Sequence, residues 1–137
     1  FMQYLKRGED FITPEGEIVA NELLTVAPPP ARSFAYMTDT LFRERFADYV
    51  KGVDLLYHEA TYMNADAVLA KESYHSTTGQ AARIAELAGV GKLLLGHFSA
   101  RYTECSELLA EAREVFPNTF LCSDGDLFEV PAVKRRS

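Results

Sequence analysis

Two apolar runs in the chain each lead into a histidine without a break. The first, "DLLYHE", covers residues 54–59, and the second, "KLLLGH", covers residues 92–97. Neither run alternates apolar and polar residues, as a strand with one solvated face does. A continuous apolar run is typical of a parallel strand that is buried on both faces of its sheet. This feature favours an α/β fold in which helices pack on a parallel sheet.

The segments around these runs predict strands and helices in alternation. The predicted strands cover 33–39, 54–59, 92–98 and 119–130, with a turn at Asp124-Gly125 in the last. The predicted helices cover 40–50, 64–74, 76–91 and 103–116, and Cys105, Leu108 and Ala112 face inward in the last. The helix over 76–91 is the clearest, because Thr77 and Gln80 fit a capping box and Gly89 fits the helix end.

Four helices are too few to cover both faces of such a sheet. One face, lined by residues such as Leu56 or Leu94, is expected to lie bare, and large apolar patches drive association. A second layer is therefore expected from missing sequence or from a partner. The chain of 137 residues has the length of one domain or part of one. Its opening, "FMQYLKRGED", predicts a truncated start.

Composition excludes some functions. The net charge of −6 argues against nucleic-acid binding by bulk charge, and no apolar run is long enough for a membrane span or a signal peptide. Cys105 and Cys122 are not in a CxxC pair, so they are predicted to be reduced, buried thiols in a reducing compartment. The basic end, "KRRS", is expected to be a solvated tail.

Ionisable residues gather where three predicted strands end. Ligands of α/β proteins bind beyond the carboxyl ends of the strands. Parallel strands would place these side chains along one rim: Asp39, His58, Glu59 and His97. His75 stands just before a helix start, which favours anions. All three histidines of the chain thus lie at strand ends or helix starts.

Each of these residues also has an ordinary structural interpretation. A histidine in a strand is most often a hydrogen-bonded core residue, and His75 fits a plain loop position. Asp39 fits a helix N-cap, Glu59 a buried ion-pair partner and Arg101 a surface charge. Their joint occurrence on one rim favours a functional site. Aspartate and histidine suit zinc, manganese or iron, but a catalytic zinc site needs at least three protein ligands.

Several motifs resemble those of the ribonuclease Z family, tRNA 3′-processing endonucleases of the metallo-β-lactamase fold. "HEAT" at 58–61 and "HST" at 75–77 match two loops of that family, in the same order. "AYMTDT" at 35–40, "LLLGHFSARY" at 93–102 and "FPNTFLCSDG" at 116–125 match three of its strands, and "PPPAR" matches its connector. The resemblance covers residues 1–130 and corresponds to the C-terminal half of that family.

The resemblance implies an α/β fold that is half of a metallo-β-lactamase αββα sandwich, with a mostly parallel or mixed sheet and helices on one face. Residues 1–137 would form this C-terminal half, while the N-terminal half with its HxHxDH motif is absent. Asp39 would bridge two zinc ions and His97 would ligate one of them, although other divalent metals are possible. The missing ligands imply that the chain alone is inactive.

The resemblance also implies roles for the remaining rim residues. His75 would donate a proton to the leaving ribose oxygen or stabilise the scissile phosphate, and Glu59 would orient and polarise it. His58 would be structural in the HEAT loop. The residues that would contact the substrate phosphate are Arg101, Ser76 and Thr77.

The implied partner is precursor tRNA, in a cytoplasmic homodimeric enzyme that does not bind membranes. The chain alone is expected to self-associate through its bare sheet face. An alternative is a non-catalytic dimerisation or interaction module derived from the same fold. A different hydrolase of this fold is disfavoured by the HEAT and HST loops.

Overall fold

The computed structural model describes residues 1–131, so the predicted basic tail lies outside the described residues. The chain divides into two compact units, of which the first comprises Phe1–Pro30 and the second begins at Ala31. None of the described helices is both long and apolar enough to cross a membrane.

The first unit is a small assembly of short elements. It contains α1 (Met2–Lys6), β1 (Phe11–Ile12), β2 (Ile18–Val19) and α2 (Asn21–Leu24). The two strands form an antiparallel hairpin. The Asn21 side chain donates hydrogen bonds to the carbonyl oxygens of Leu5 and Glu9, at 2.8 and 2.9 Å. These bonds connect the start of α2 to α1 and to the turn that follows it.

The second unit is built on a four-stranded parallel sheet. Its strands are β3 (Phe34–Met37), β4 (Leu55–Glu59), β5 (Lys92–Gly96) and β6 (Thr119–Leu121), which lie in chain order across the sheet. The predicted α/β class and parallel sheet are confirmed. The predicted final strand within 126–130 is wrong, because the chain after β6 turns at Asp124-Gly125 and forms no further strand up to Pro131.

Helical segments connect the strands. They are two 3-10 helices, Glu44–Val50 and Asn64–Asp66, and the α-helices α3 (Ala67–Glu72), α4 (Thr78–Ala88) and α5 (Cys105–Val115). The helix predicted over 40–50 is therefore a 3-10 helix that begins later. The helix predicted over 64–74 is a single 3-10 turn followed by the short α3.

The α4 helix begins and ends as its sequence predicts. Thr77 and Gln80 form the reciprocal bonds of a capping box. Gly89 follows the helix in the left-handed conformation, with φ of 62° and ψ of 41°. The last carbonyl groups of α4 accept hydrogen bonds from the chain as it reverses here. The loop before α4, which carries His75, therefore leads into a well-defined helix start.

The core lies between the sheet and α4. Side chains alternate between the faces of a strand, so Leu56 of β4 and Leu93 and Leu95 of β5 share one face. They pack in one cluster with Ala81, Ile84 and Ala85 of α4. The expectation that Leu56 lines a bare face is wrong, since Leu56 is fully buried on the helix side.

The opposite face of the sheet is only partly covered. Leu55, Tyr57 and Leu94 line it together with Cys122, Phe128 and Val130 of the segment after β6, around a cavity of about 410 Å³. Leu94 is buried there, as a residue of this face, whereas Phe34 and Tyr36 of β3 remain more than half exposed. The expected bare face is thus covered in part and is most exposed at the β3 edge.

The two cysteines correct the prediction of buried thiols. Both are free, but Cys105 is exposed at the start of α5 and Cys122 is half-buried. Burial raises the pKa of the Cys122 thiol to about 11, with a smaller contribution from Asp126. At neutral pH, Cys122 is therefore in its protonated thiol form, which is less reactive than the thiolate.

Candidate functional site

The carboxyl ends of three strands and the loop before α4 bring four candidate residues together. Asp39 follows β3, Glu59 ends β4, His97 follows β5 and His75 precedes α4. The His75 Nδ1 atom lies 3.3 Å from Glu59 Oε1 and 3.9 Å from Asp39 Oδ1. The ring centroids of His75 and His97 are 5.2 Å apart. The three connections that follow β3, β4 and β5 thus place these side chains on one rim of the sheet.

Glu59 is the buried centre of this cluster. Its side chain is inaccessible to solvent and accepts four hydrogen bonds. Backbone N–H groups of Ser76 and Thr40 donate to Oε1 at 2.7 and 3.2 Å, and the backbone and hydroxyl of Thr61 donate to Oε2 at 3.0 and 2.8 Å. Glu59 therefore holds together the three loops that follow β3, follow β4 and precede α4.

Asp39, His75 and His97 form a set of possible metal ligands. Each offers one ligand atom, and these atoms lie within 4.8 Å of one another. The Nδ1 atom of His75 is buried and has no hydrogen-bond partner among the described residues. Two imidazoles and one carboxylate are a donor set that suits a divalent transition metal. These residues could therefore hold a metal ion. His75 adds a third possible donor to Asp39 and His97, which the sequence predicts as ligands.

Backbone conformation at the site is unusual. Among the described residues other than glycine, three have positive φ: Asp39 at 48°, Tyr74 at 60° and His97 at 61°. Two of them are donors of the set and the third precedes His75. Such conformations concentrate at functional sites, where surrounding contacts hold them in place. No local sequence pattern predicts these positive φ values.

His58 takes no part in the cluster. It points to the helix side of β4, is buried, and its Nδ1 atom lies 2.7 Å from the backbone carbonyl of Glu59. Desolvation by burial lowers the pKa of His58, and this effect exceeds the opposing effect of its bond to the Glu59 carbonyl. Neighbouring strand residues face opposite sides of a sheet, which separates His58 from Glu59.

Arg101 lies on the exposed side of the rim. Its guanidinium pairs with Asp66 at 3.2 Å and stands 5.7 Å from the centroid of the Tyr62 ring. A hydrogen bond from Tyr102, with a further contribution from Arg101, lowers the pKa of Asp66. The Tyr62 ring lies 6.5 Å from the His75 ring. Asp66 and Tyr62 thus orient the Arg101 cation near the cluster, and no local sequence pattern predicts these two neighbours.

Ser76 and Thr77 are fully buried, and their polar groups have partners within the chain. The Ser76 hydroxyl donates to the Thr40 carbonyl, and its N–H group donates to Glu59. The Thr77 hydroxyl donates to Asn64, and its N–H group donates to Gln80. The anion beside the start of α4 is therefore the Glu59 carboxylate, and a substrate contact with either residue would require these bonds to break.

Comparison with known proteins places this arrangement in a family. The family described as the beta-lactamase superfamily domain matches residues 23–98. The chain belongs to the beta-lactamase superfamily. The match runs from α2 to just past His97, so it contains Asp39, Glu59 and His75 as well.

Two curated relatives that the chain resembles are named ribonuclease Z. The chain is 52% identical to a ribonuclease Z of Bacteroides fragilis over 120 residues, which are 88% of this chain and 40% of that relative. It is 48% identical to a ribonuclease Z of Parabacteroides distasonis over 124 residues, which are 90% of this chain and 41% of that relative. The chain thus spans about two fifths of the length of these curated relatives.

A solved structure supports the beta-lactamase superfamily fold. The metallo-beta-lactamase fold protein YhfI of Bacillus subtilis superposes with a TM-score of 0.65 at 26% sequence identity. The superposition covers 70% of this chain and 39% of YhfI. Most of this chain therefore shares the metallo-β-lactamase fold.

Proposed function

We propose that this chain is the C-terminal half of a metallo-β-lactamase-type domain in a zinc-dependent endoribonuclease that removes 3′ trailers from precursor tRNA. The observation that carries the proposal is the convergence of Asp39, His75 and His97 beside the buried Glu59. The ribonuclease Z relatives, which match most of this chain, support the reaction class.

In this proposal, Asp39 and His97 are ligands of the zinc site of the intact enzyme, which would hold two ions. Zinc supplies a bound water of lowered pKa and polarises phosphoryl oxygens. Asp39 is largely exposed at the end of its strand. Such exposure is expected of a ligand that binds metal together with residues of an N-terminal half. The donor chemistry also suits other divalent metals.

His75 and Glu59 are proposed as the catalytic pair. The His75 Nδ1 atom faces the Glu59 Oε1 atom at 3.3 Å, so the buried carboxylate would orient and polarise the imidazole. A ring held in this way would donate a proton to the leaving ribose oxygen or stabilise the scissile phosphate. A ring nitrogen of His75 also lies within 4.8 Å of the possible ligand atoms of Asp39 and His97, so His75 would stand beside the metal site.

Arg101 is proposed to contact the phosphate of the substrate. Its side chain is nearly half exposed, and a guanidinium binds phosphate oxygens with two parallel hydrogen bonds. Asp66 and Tyr62 would keep it oriented towards the rim. For Ser76 and Thr77 we propose that they frame the same phosphate by fixing the loop before α4, because their polar groups bond within the chain instead of pointing to a substrate.

The chain alone is proposed to be inactive. Three donors satisfy at most one metal ion, and a two-metal site needs more ligands than these residues supply. The remaining ligands would come from an N-terminal half with an HxHxDH motif. We further propose a cytoplasmic location, in which precursor tRNA and reduced cysteines both occur.

Cleavage of a precursor tRNA with added zinc tests this function. The chain would be assayed alone and joined to the remaining N-terminal segment of the Bacteroides fragilis relative as a single-chain chimera. We expect no cleavage by the chain alone and 3′-trailer removal by the chimera. His75→Ala in the chimera should abolish cleavage, whereas Tyr49→Ala, an exposed residue on the 3-10 helix, should not. Cleavage by the isolated chain would contradict the missing ligands, and a folded, zinc-loaded but silent chimera would contradict the function.

A second candidate is a non-catalytic dimerisation or interaction module. The observation that favours it is the open β3 edge of the sheet face, where Phe34 and Tyr36 are more than half exposed. We propose that this face mediates self-association of the chain. For the intact enzyme of the first candidate, we propose a homodimer. Exposed aromatic residues on a sheet face are common in interfaces.

Light scattering of the 137-residue chain tests the self-association. We expect a dimer that Tyr36→Glu converts to a monomer. The matched control is Tyr49→Glu, which adds the same charge at an exposed tyrosine outside the sheet and should leave the dimer intact. A monodisperse wild-type monomer at high protein concentration would refute self-association.

A further inference from the structure

The Thr61 hydroxyl lies between two groups of the candidate site. Its Oγ1 atom is 2.8 Å from Glu59 Oε2 and 2.9 Å from His97 Nδ1. The residue is buried, so water does not compete strongly for these bonds. Thr61 therefore connects the buried carboxylate to a histidine that the carboxylate does not contact directly.

We propose that Thr61 is a positioning residue that sets the tautomer of His97, with the proton on Nδ1 and the lone pair on Nε2. The structure alone supports the tautomer. The consequence for metal binding rests on the proposed function, in which His97 is a ligand.

The direction of the two hydrogen bonds follows from the number of protons. A hydroxyl group has one proton to donate and two lone pairs. Glu59 accepts from Thr61 as a carboxylate, and such a charge-assisted bond is stronger than a bond to a neutral ring nitrogen. If the proton pointed to His97 instead, two acceptor oxygens would face each other at 2.8 Å without a proton between them. The hydroxyl proton therefore belongs to the bond with Glu59.

The orientation of the imidazole follows from that assignment. Thr61 Oγ1 presents only a lone pair to His97, so Nδ1 of the neutral ring must carry the proton and donate it. The Nε2 atom is then left with its lone pair, which is the form that ligates a metal. Metal-bound histidines commonly donate their other N–H group to an oxygen acceptor, which fixes the ring.

Thr61 is itself held at three points. Besides its hydroxyl bonds, its backbone N–H group donates to Glu59 Oε2 at 3.0 Å, and its carbonyl accepts from Ser99 N–H at 3.0 Å. The last bond connects the loop after β4 to the loop after β5, which carries His97. Because His97 has a left-handed backbone, no regular strand geometry orients its ring. The Thr61 bonds supply that orientation.

One carboxylate thus controls two imidazoles by different routes. Glu59 Oε1 faces His75 directly at 3.3 Å, while Oε2 reaches His97 only through Thr61. Removing the Thr61 hydroxyl should therefore affect His97 and leave the contact between Glu59 and His75 in place. This selectivity separates a positioning role of Thr61 from a general structural role.

Proton–nitrogen correlation spectra of the histidine rings test the tautomer. The isotope-labelled, metal-free chain would be measured at about pH 8, where histidine rings are ordinarily neutral. Its three histidines give three ring patterns, and His97→Gln identifies that of His97. We expect a protonated Nδ1 on His97 in the wild type and in Thr61→Ser, which keeps the hydroxyl. Thr61→Val, which keeps the shape and loses the hydroxyl, should shift His97 towards the other tautomer without changing the His75 pattern.

Zinc affinity, measured by competition with a chelator, gives a second readout on the same proteins. Loss of an outer partner of a metal-bound histidine typically weakens affinity by roughly 10–100-fold. We expect that loss for Thr61→Val and near-wild-type affinity for Thr61→Ser.

A wild-type His97 with the proton on Nε2 would overturn the inference, whether or not Thr61→Val folds. So would an unchanged His97 pattern in a folded Thr61→Val. A silent chimera in the cleavage assay, together with the expected tautomer, would instead overturn the proposed function and leave the role of Thr61 standing.

Discussion

At the scale of single residues, the candidate site rests on backbone conformations that side chains must hold. Asp39 and His97 both have left-handed φ values, which cost an ordinary residue roughly 1–2 kcal/mol. The bonds around Glu59 and Thr61 determine the loops in which these residues lie. Stability and site geometry therefore depend on the same few hydrogen bonds.

Glu59→Gln should destabilise the protein strongly. A glutamine amide has only one acceptor oxygen, so its NH₂ group would face N–H donors that now bond to Glu59. We expect urea denaturation to show a loss of roughly 3 kcal/mol in the free energy of unfolding. Glu44→Gln is the matched control, because Glu44 is mostly exposed and its ion pair with Arg83 is long, and it should change stability by less than about 0.5 kcal/mol. Equal effects of the two substitutions would contradict the central role of Glu59.

His58 should make the protein sensitive to mild acid. Burial lowers its pKa in the folded state, so the unfolded chain binds the proton more readily. Stability is then unaffected above the unfolded pKa of about 6.5 and falls as the pH drops below that value. The slope of unfolding free energy between about pH 7 and pH 5 should be steeper in wild type than in His58→Asn. Parallel slopes in metal-free samples would show that His58 is not the responsible group.

At the scale of elements, α4 connects the core to the site. One face of the helix packs on β4 and β5 through Ala81, Ile84 and Ala85, while its capping residue Thr77 follows the loop of His75. The capping box and the left-handed Gly89 determine where the helix begins and ends. The position of His75 thus depends on a helix start that local sequence specifies.

Gly89→Ala should weaken α4 at its end. A side chain at this position would contact no other atom within 4 Å, so the effect comes from the backbone conformation alone. The left-handed conformation disfavours alanine, and we expect thermal or urea unfolding to report a loss of about 1 kcal/mol. Gly89→Asn should lose clearly less, because asparagine tolerates this conformation. If alanine and asparagine behaved alike, the conformational explanation would be wrong.

At the scale of the whole molecule, the core belongs to the second unit. Every member of the buried cluster, from Ala47 to Ala112, lies beyond Pro30. The first unit has one buried hydrophobic side chain, Leu5, and its elements are at most five residues long. The sheet unit therefore contains the interactions that a folded domain needs.

Deletion of residues 1–30 should leave the sheet unit folded. Circular dichroism and urea unfolding should show a cooperative transition, with a free energy within roughly 1 kcal/mol of the full chain. Residues 31–137 should also keep the zinc affinity of the full chain, since all three donors lie in this part. A non-cooperative transition would show that the first unit contributes to the folding of the second.

Predictions from sequence succeeded where the signal is local. The capping box of Thr77 and Gln80, the Gly89 stop and the apolar runs of β4 and β5 depend on neighbouring residues or on composition over a short window. Placement of Glu59 and His97 at strand ends followed from the same runs, and that of Asp39 followed from the strand predicted over 33–39. These features appear in the structure because propensity and tertiary packing agree there.

Other predictions failed because two parts of the chain decide them jointly. A strand that is apolar on both faces carries no alternation, so the side occupied by Leu56 could not be read from it. Exposure of Cys105 and the missing strand after Asp124 depend on how the last segments pack. The left-handed backbone of His97 also has no local signal, since histidine rarely adopts it without tertiary contacts.

The sequence by itself determined the α/β class, the strand ends and which chemical groups stand at them, because period and local propensity act over a few residues. Tertiary structure alone decided which of those groups meet. In the folded chain, the His58 side chain lies in the core, and His75 lies in a loop beside Glu59 and Asp39. The Thr61 hydroxyl lies between Glu59 and His97. His75 and Glu59 are 16 positions apart in the chain, and the contacts of His75 with Asp39 and of Thr61 with His97 each join residues 36 positions apart. The parallel pairing of β3, β4 and β5, together with the loop before α4, brings such distant residues to one rim of the sheet.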